Sequence, residues 1–233
     1  MTEVELFIDS RKYLFFDLFH TLTSLESERP EIPPTSKILG VSRAAWNEQL
    51  LERSRDRLTG VLRDPVEFIG MMARALDPAI SDERIREAAR HRAMRFEHTL
   101  LGIPPANLET LAELRRRGKR LCLVSNAAVS EAAPWPRSPL APLFDEAVFS
   151  CDVGTLKPEP EIYRISLARM GASAESSAFI GDGGSGELAG ARGLGLGTVI
   201  ATAVAREIWP ERVEASRAEA DYEIARLPEL VGR

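Results

Sequence analysis

Asp17 closes the apolar run YLFF, Ser125 and Asn126 close RLCLV, and Asp182 closes SAFIG, while Lys157 stands in GTLKPEP just ahead of a run with helical spacing. Two carboxylates, a hydroxyl and an ammonium group brought to one place would suit an anionic substrate held by a divalent cation. Asp17 would attack as a nucleophile of the aspartyl-phosphate kind. Asp182 would help to hold Mg²⁺, a hard ion that prefers oxygen ligands. Lys157 and Ser125, with backbone amides, would hold the transferring group and its developing charge. Each residue alone has an ordinary use, since an aspartate after a strand is often a turn former or a helix cap. The joint occurrence, in chain order and at element boundaries, carries the functional reading.

These side chains meet only if the runs that carry them lie side by side. Near-continuous apolarity in YLFF, RLCLVS, SAFIG and GTVIA is the pattern of parallel strands buried on both faces. Helical patterns separate the runs. PPANLETLAELRRRG places Leu108, Leu111 and Leu114 on one stripe and stops at Gly118. PEPEIYRISLARMG sets Ile162, Ile165, Arg169 and Met170 near one side and stops at Gly171, and GELAGARGLG makes a short helix after Asp182. This alternation predicts an α/β fold with a doubly wound parallel sheet and right-handed crossovers. Ligands bind such sheets at the carboxyl ends of the strands, where Asp17, Ser125, Asn126 and Asp182 are expected.

Residues 27–103 follow a different pattern. SERPEIPPTSKILG reads as a proline-rich linker, and three amphipathic helical patterns follow it with Ser42, Asp64 and Ser81 as N-caps. The expected organisation is a Rossmann-like core, residues 1–26 and 104–233, with an inserted helical cap domain over 27–103. Trp46, Met71 and Met72 fall at spacings that suit packing between cap helices. Trp135 reads as a surface staple, and His91 and His98 as helix-face residues.

The composition excludes several classes of partner. Thirty Lys+Arg against 35 Asp+Glu gives a net charge of −5, with both signs interspersed, so neither a nucleic acid nor an anionic membrane is expected. No apolar stretch approaches the roughly 20 residues of a membrane span, and MTEVELFIDSRKY is not a signal peptide. Cys122 and Cys151 match no metal-ligand spacing and suit buried positions in a reduced, cytoplasmic protein. The expected partner is a small molecule; the chain leaves a homodimer open.

With these residues placed, the sequence resembles the haloacid dehalogenase-like (HAD) hydrolase superfamily over nearly its whole length. FFDLFHTL is similar to the first motif of that family, with Asp17 as nucleophile, and LVSNA to the second, with Ser125 as its Ser/Thr. FSCDVGTLKPEPEIY resembles the third and carries its lysine as Lys157; FIGDGGSGELAGARGLG resembles the fourth, with Asp182 as metal-binding acid and Glu187 at the second acidic position. ADYEIARLPEL is like the final strand and turn of the family. The resemblance implies a Rossmann-like core, a helical cap of the first class and a phosphorylated small-molecule substrate. It also implies Mg²⁺ held by Asp17, the Phe19 carbonyl and Asp182, with Glu187 orienting a metal-bound water.

The chain departs from the pattern at Phe19. Most phosphatases of the family have a second aspartate there, which protonates the leaving alkoxide and later activates water. Loss of a general acid slows such chemistry by roughly 10²–10⁴-fold. In haloacid dehalogenases this position is also non-acidic, because a halide leaves unprotonated and without a metal, so a metal-independent dehalogenase is one alternative. A catalytically weakened binding or regulatory protein is another. The acid in IGDGGSGE weighs for a metal-dependent phosphatase, because a second carboxylate in that crevice needs a compensating cation. His20 is the candidate by type to replace the missing acid. Its position beside Phe19 favours a surface or cap-facing side chain within reach of substrate. A phosphonate-cleaving relative would use a cap lysine, and the inserted segment holds only Lys37, expected in solvent.

Overall fold

The computed structural model describes residues 1–25, 28 and 31–233. A capping box at Thr2 and Glu5 starts a short helix, α1 (Glu3–Asp9), which the apolar-run analysis misses. The strand β1 (Tyr13–Phe16) follows. Among the described residues, five α-helices of the inserted segment follow β1: α2 (Thr35–Leu39), α3 (Arg43–Glu52), α4 (Ser54–Leu58), α5 (Pro65–Leu76) and α6 (Asp82–Leu101). The side chains of Ser42, Asp64 and Ser81 accept from the first-turn amides of α3, α5 and α6, as their sequence positions predict. The expected linker over 27–40 is shorter than its prolines suggested. Pro34 ends it by leading into α2, whose Thr35, Ser36 and Leu39 are buried while Lys37 is exposed. The expected boundary between residues 26 and 27 lies outside the described residues.

The rest of the chain alternates. It runs through α7 (Pro105–Arg116), β2 (Arg120–Ser125), α8 (Val129–Ala132), β3 (Glu146–Phe149), α9 (Ser150–Val153) and α10 (Pro160–Met170). There follow β4 (Ser177–Gly181), α11 (Glu187–Arg192), β5 (Gly197–Ala201), α12 (Ala203–Ile208), α13 (Pro210–Arg217) and β6 (Tyr222–Ile224). All strand pairs are parallel, in the order β3-β2-β1-β4-β5-β6. This is the doubly wound order, in which the connections reverse direction between β1 and β4.

Both faces of the sheet are covered, which is why its strands read as unbroken apolar runs. Leu14 and Phe16 pack with α1 and α7 on one face, and Phe15 packs with Ile162 and Tyr163 of α10 and Leu188 of α11 on the other. The buried face of α10 is Ile162, Tyr163, Ser166 and Met170; Arg169, expected beside Met170, is exposed. The inserted helices α2, α3, α5 and α6 bury a separate cluster around Trp46, Phe68, Ile69 and Met72. Trp135 is tied into the core rather than stapled to the surface, edge-on to Phe144 and Phe149. Both cysteines are free and buried. No helix among the described residues is long and apolar enough to cross a membrane.

Candidate active site

The register of the sheet brings the strand-end residues level. Phe16 pairs with Leu123 of β2 and with Ile180 of β4, so Asp17 stands one step short of both Ser125 and Asp182. The Asp17 amide still donates to the Ile180 carbonyl at 2.9 Å, which fixes the start of the loop to the sheet. The reversal between β1 and β4 therefore opens a crevice with Asp17 on one lip and Asp182 on the other.

A cavity of about 1100 Å³ fills this crevice and extends beneath the inserted helices. Asp17, Asp182 and Glu187 each direct a carboxylate oxygen into a cluster whose atoms all lie within 4.8 Å of one another, and all three residues are buried. Lys157 Nζ sits among them, 2.5 Å from Asp17 Oδ1 and 2.5 Å from Glu187 Oε2. Thr21 donates to Asp17 Oδ2 at 3.1 Å. The Gly184 amide donates to Asp182 Oδ1, and the Gly183 amide to Glu187 Oε1. Glu187 reaches this position because residue 181 has no side chain: a Cβ there would collide with Glu187 Oε1.

Burial disfavours the charged form of every group in the cluster, and the groups resolve this differently. Burial alone would lower the pKa of Lys157, but Asp17 and Glu187 outweigh it and hold the ammonium group above its ordinary value. Burial, then the Asp17 charge, raises Asp182 above the usual carboxylate range, and the same two causes raise Glu187 well above it. With all three carboxylates ionised, the single ammonium leaves two negative charges over. That is the charge of one divalent cation, and an oxygen-only donor set fits a hard one.

The other expected site residues fall as follows. Ser125 is fully buried at the end of β2, and its Oγ has no hydrogen-bond partner among the described residues. Asn126, expected to touch substrate, lines the cavity and also grips the Lys157 backbone on both sides. Its Nδ2 donates to the Lys157 carbonyl at 2.9 Å, and its Oδ1 accepts from the Lys157 amide at 2.8 Å. Phe19 lines the cavity and meets Phe96 of α6 edge to face, with centroids 5.3 Å apart. His20 is partly exposed and lines the cavity. Its backbone is left-handed (φ 68°), and the imidazole meets Asp182 and Trp209, with Nδ1 3.6 Å from Asp182 Oδ2 and the ring 4.9 Å from that of Trp209. Sequence patterns give no warning of that turn, because a positive φ is uncommon outside glycine. Thr21 and Trp209 were also missed; a hydroxyl four residues after Asp17 was the available signal for Thr21.

Comparison with known proteins places this geometry. A sequence profile of haloacid dehalogenase-like hydrolases matches residues 12–195, which include every residue of the cluster. The chain belongs to this family. A phosphoserine phosphatase from Thermus thermophilus is 35% identical over 174 residues, 74% of this chain. The matched stretch spans 61% of that relative's length. Among solved structures, a dehalogenase superimposes with a TM-score of 0.65 at 22% identity, covering 95% of this chain and 96% of its own. A HAD phosphatase from Thermococcus onnurineus superimposes with a TM-score of 0.60 at 25% identity, covering 94% and 95%.

Proposed function

We propose that this HAD hydrolase is a Mg²⁺-dependent phosphatase that acts on a small phosphorylated molecule through an aspartyl-phosphate on Asp17. The observation that carries the reading is the approach of Asp17, Asp182 and Glu187 within 4.8 Å around a single lysine. The residual charge of that cluster calls for a divalent cation, whereas a metal-independent dehalogenase gives no reason for Asp182 and Glu187 to be buried there. The phosphatase named among the relatives supports the same reading.

In the proposed reaction, Asp17 Oδ attacks phosphorus, the bond from phosphorus to the leaving oxygen breaks, and water then cleaves the acyl phosphate to restore the carboxylate. Mg²⁺, when bound, screens the charge of the phosphoryl oxygens from that of the nucleophile. It would be held by Asp17, Asp182 and the Phe19 carbonyl. Glu187 holds Lys157 and the Gly183 amide beside the cation and would orient a metal-bound water. Lys157 pairs with Asp17 and presents its ammonium group to the phosphoryl oxygens. Asn126 positions Lys157, and the unpartnered Ser125 hydroxyl is available to a phosphoryl oxygen. Residues 1–26 and 104–233 form the catalytic core and 27–103 the cap, in keeping with the separate apolar cluster of the inserted helices.

Phe19 leaves this mechanism without its usual acid, which favours substrates whose leaving groups need little protonation, such as aryl or acyl phosphates. The test is release of phosphate from p-nitrophenyl phosphate and of chloride from 2-chloropropionate, each with Mg²⁺ and with EDTA. Phosphate release that EDTA abolishes is expected, and D17N should lose it while remaining folded. Chloride release unaffected by EDTA would replace the reading with a dehalogenase. Silence on both substrates with Mg²⁺ still bound would mark a binding protein.

A further inference from the structure

The cavity has a second charged cluster, far from the catalytic carboxylates in the chain. Arg57 of α4 and Arg92 of α6 converge on one oxygen of Glu131 in α8: Arg57 Nη1 lies 2.8 Å from Oε1, and Arg92 Nη2 also bonds it. The other oxygen of Glu131 caps the Ala128 amide at 2.9 Å. Arg57, Arg92 and Glu131 are 8%, 7% and 4% exposed, yet all three line the same cavity as Asp17 and Lys157.

Two guanidinium ions share one carboxylate here, so the cluster carries a residual positive charge. A buried charge without a counter-charge is costly, and an ordinary cap-to-core ion pair would need only one arginine. The Nε atoms of Arg57 and Arg92 both lack hydrogen-bond partners among the described residues. Burial lowers the pKa of Arg57 despite the Glu131 charge, a sign of how poorly water compensates it. The Arg92 guanidinium also lies over the Phe96 ring, 5.0 Å from its centroid, and that ring meets Phe19. The cluster is close to the chemistry as well. Ala128, which Glu131 caps, is two residues past Asn126, the residue that holds Lys157, a span of at most about 7 Å.

We infer that the Arg57–Glu131–Arg92 cluster is the subsite for a second anionic group on the substrate, so that the enzyme prefers phosphomonoesters that also bear a carboxylate or a second phosphate. This rests on the phosphatase reading above. The bound anion would supply the missing counter-charge and accept charge-assisted hydrogen bonds from the two arginines.

The experiment compares kcat/KM for glycerol 3-phosphate, 3-phosphoglycerate and propane-1,3-diol bisphosphate, in the wild-type protein and in R57Q. R57Q leaves Glu131 paired with Arg92, so no buried carboxylate is orphaned. At least one of the two substrates that bear a second anionic group should exceed glycerol 3-phosphate by roughly 10- to 100-fold, and the ratio should collapse toward unity in R57Q. Which arm exceeds it identifies the group. Equal wild-type values for all three substrates would overturn the inference without any variant. A ratio unchanged in R57Q, with turnover of every substrate lowered alike, would also overturn it, because a mere latch between cap and core behaves that way. Failure of the phosphatase reading itself shows separately, as absence of metal-dependent p-nitrophenyl phosphate turnover in the wild type.

Discussion

Replacing Asp182 by asparagine should stabilise the metal-free protein and destabilise the metal-loaded one. Asp182 and Asp17 offer oxygens within 4.8 Å of one another. Two unit charges about 5 Å apart repel by about 3 kcal/mol at an effective dielectric constant of about 20. Lys157 and His20 offset part of this, leaving a net cost of roughly 1–2 kcal/mol without a cation. Asparagine keeps the volume and can still accept from the Gly184 amide, so D182N should raise the Tm in EDTA by roughly 2–8 °C for a domain of this size. With Mg²⁺ in excess the order should invert, because only the wild type gains the linkage stabilisation of a bound cation. The pH dependence follows from the same charges. The pKa values of Asp182 and Glu187 are raised in the folded state, so their contribution is fully present below the ordinary carboxylate range. It is lost as pH rises through the raised values. Metal-free wild-type protein should therefore lose stability as pH climbs from about 4 toward neutrality, and D182N should lose less. Differential scanning fluorimetry across pH, with EDTA and with Mg²⁺, measures all of this. A D182N protein less stable than wild type in EDTA, or the same rank order in both conditions, would refute the charge argument.

F19D should raise kcat on alkyl phosphates by about 10²-fold, the lower end of what a general acid contributes, and leave p-nitrophenyl phosphate nearly unchanged. It also gives up the edge contact with Phe96, at a cost of about 0.5–1.5 kcal/mol read as a lower Tm. An alkyl-to-aryl rate ratio that does not move would mean that Phe19 is not what limits the enzyme. G181A pushes a methyl group into Glu187 and its bond to Lys157, and should cost about 1–3 kcal/mol in denaturant unfolding together with most metal-dependent turnover. Wild-type stability in that variant would mean that the Glu187 position is not constrained as described. Burial, then the Asp152 charge, pushes the Cys151 thiol up to about 11, and Cys122 lies higher still, so neither should be alkylated by iodoacetamide at pH 8 in the folded protein. Rapid labelling of either thiol would contradict its placement.

The strands that carry the site were legible because both of their faces are buried, so their apolar runs are unbroken and end abruptly at Asp17, Ser125 and Asp182. The helix caps were legible because capping is local chemistry: Ser42, Asp64 and Ser81 act within their own first turns. The strand β3 escaped the apolar-run analysis because Glu146 and Ala147 are only half-buried, which interrupts the pattern at the edge of the sheet. The destinations of side chains beyond the strand ends were least legible. Asn126 turns back onto the Lys157 backbone and His20 turns toward Asp182, and both outcomes depend on loop conformations that no periodicity encodes. Glu131 could not be singled out at all, because its meaning lies in two arginines contributed by a separate part of the chain.

The two charged clusters explain each other better than either explains itself. A fold selected only for stability gains little from buried ion pairs, since apolar replacements of similar volume are often neutral or better. It gains less from clusters that do not balance. Here neither balances: three carboxylates around Lys157 leave negative charge in one part of the cavity, and two arginines around Glu131 leave positive charge in another. A cation at the first cluster and an anion at the second would each restore neutrality, and the space between them is continuous. Under the proposed function, the residual charges describe the substrate as a complement: a phosphoryl group that would approach a metal beside the carboxylates and a second anionic group that would meet the two guanidinium ions. Phe19 meets Phe96 edge to face and Arg92 lies over that same ring, so the residue that departs from the family pattern is in packing contact with the second cluster.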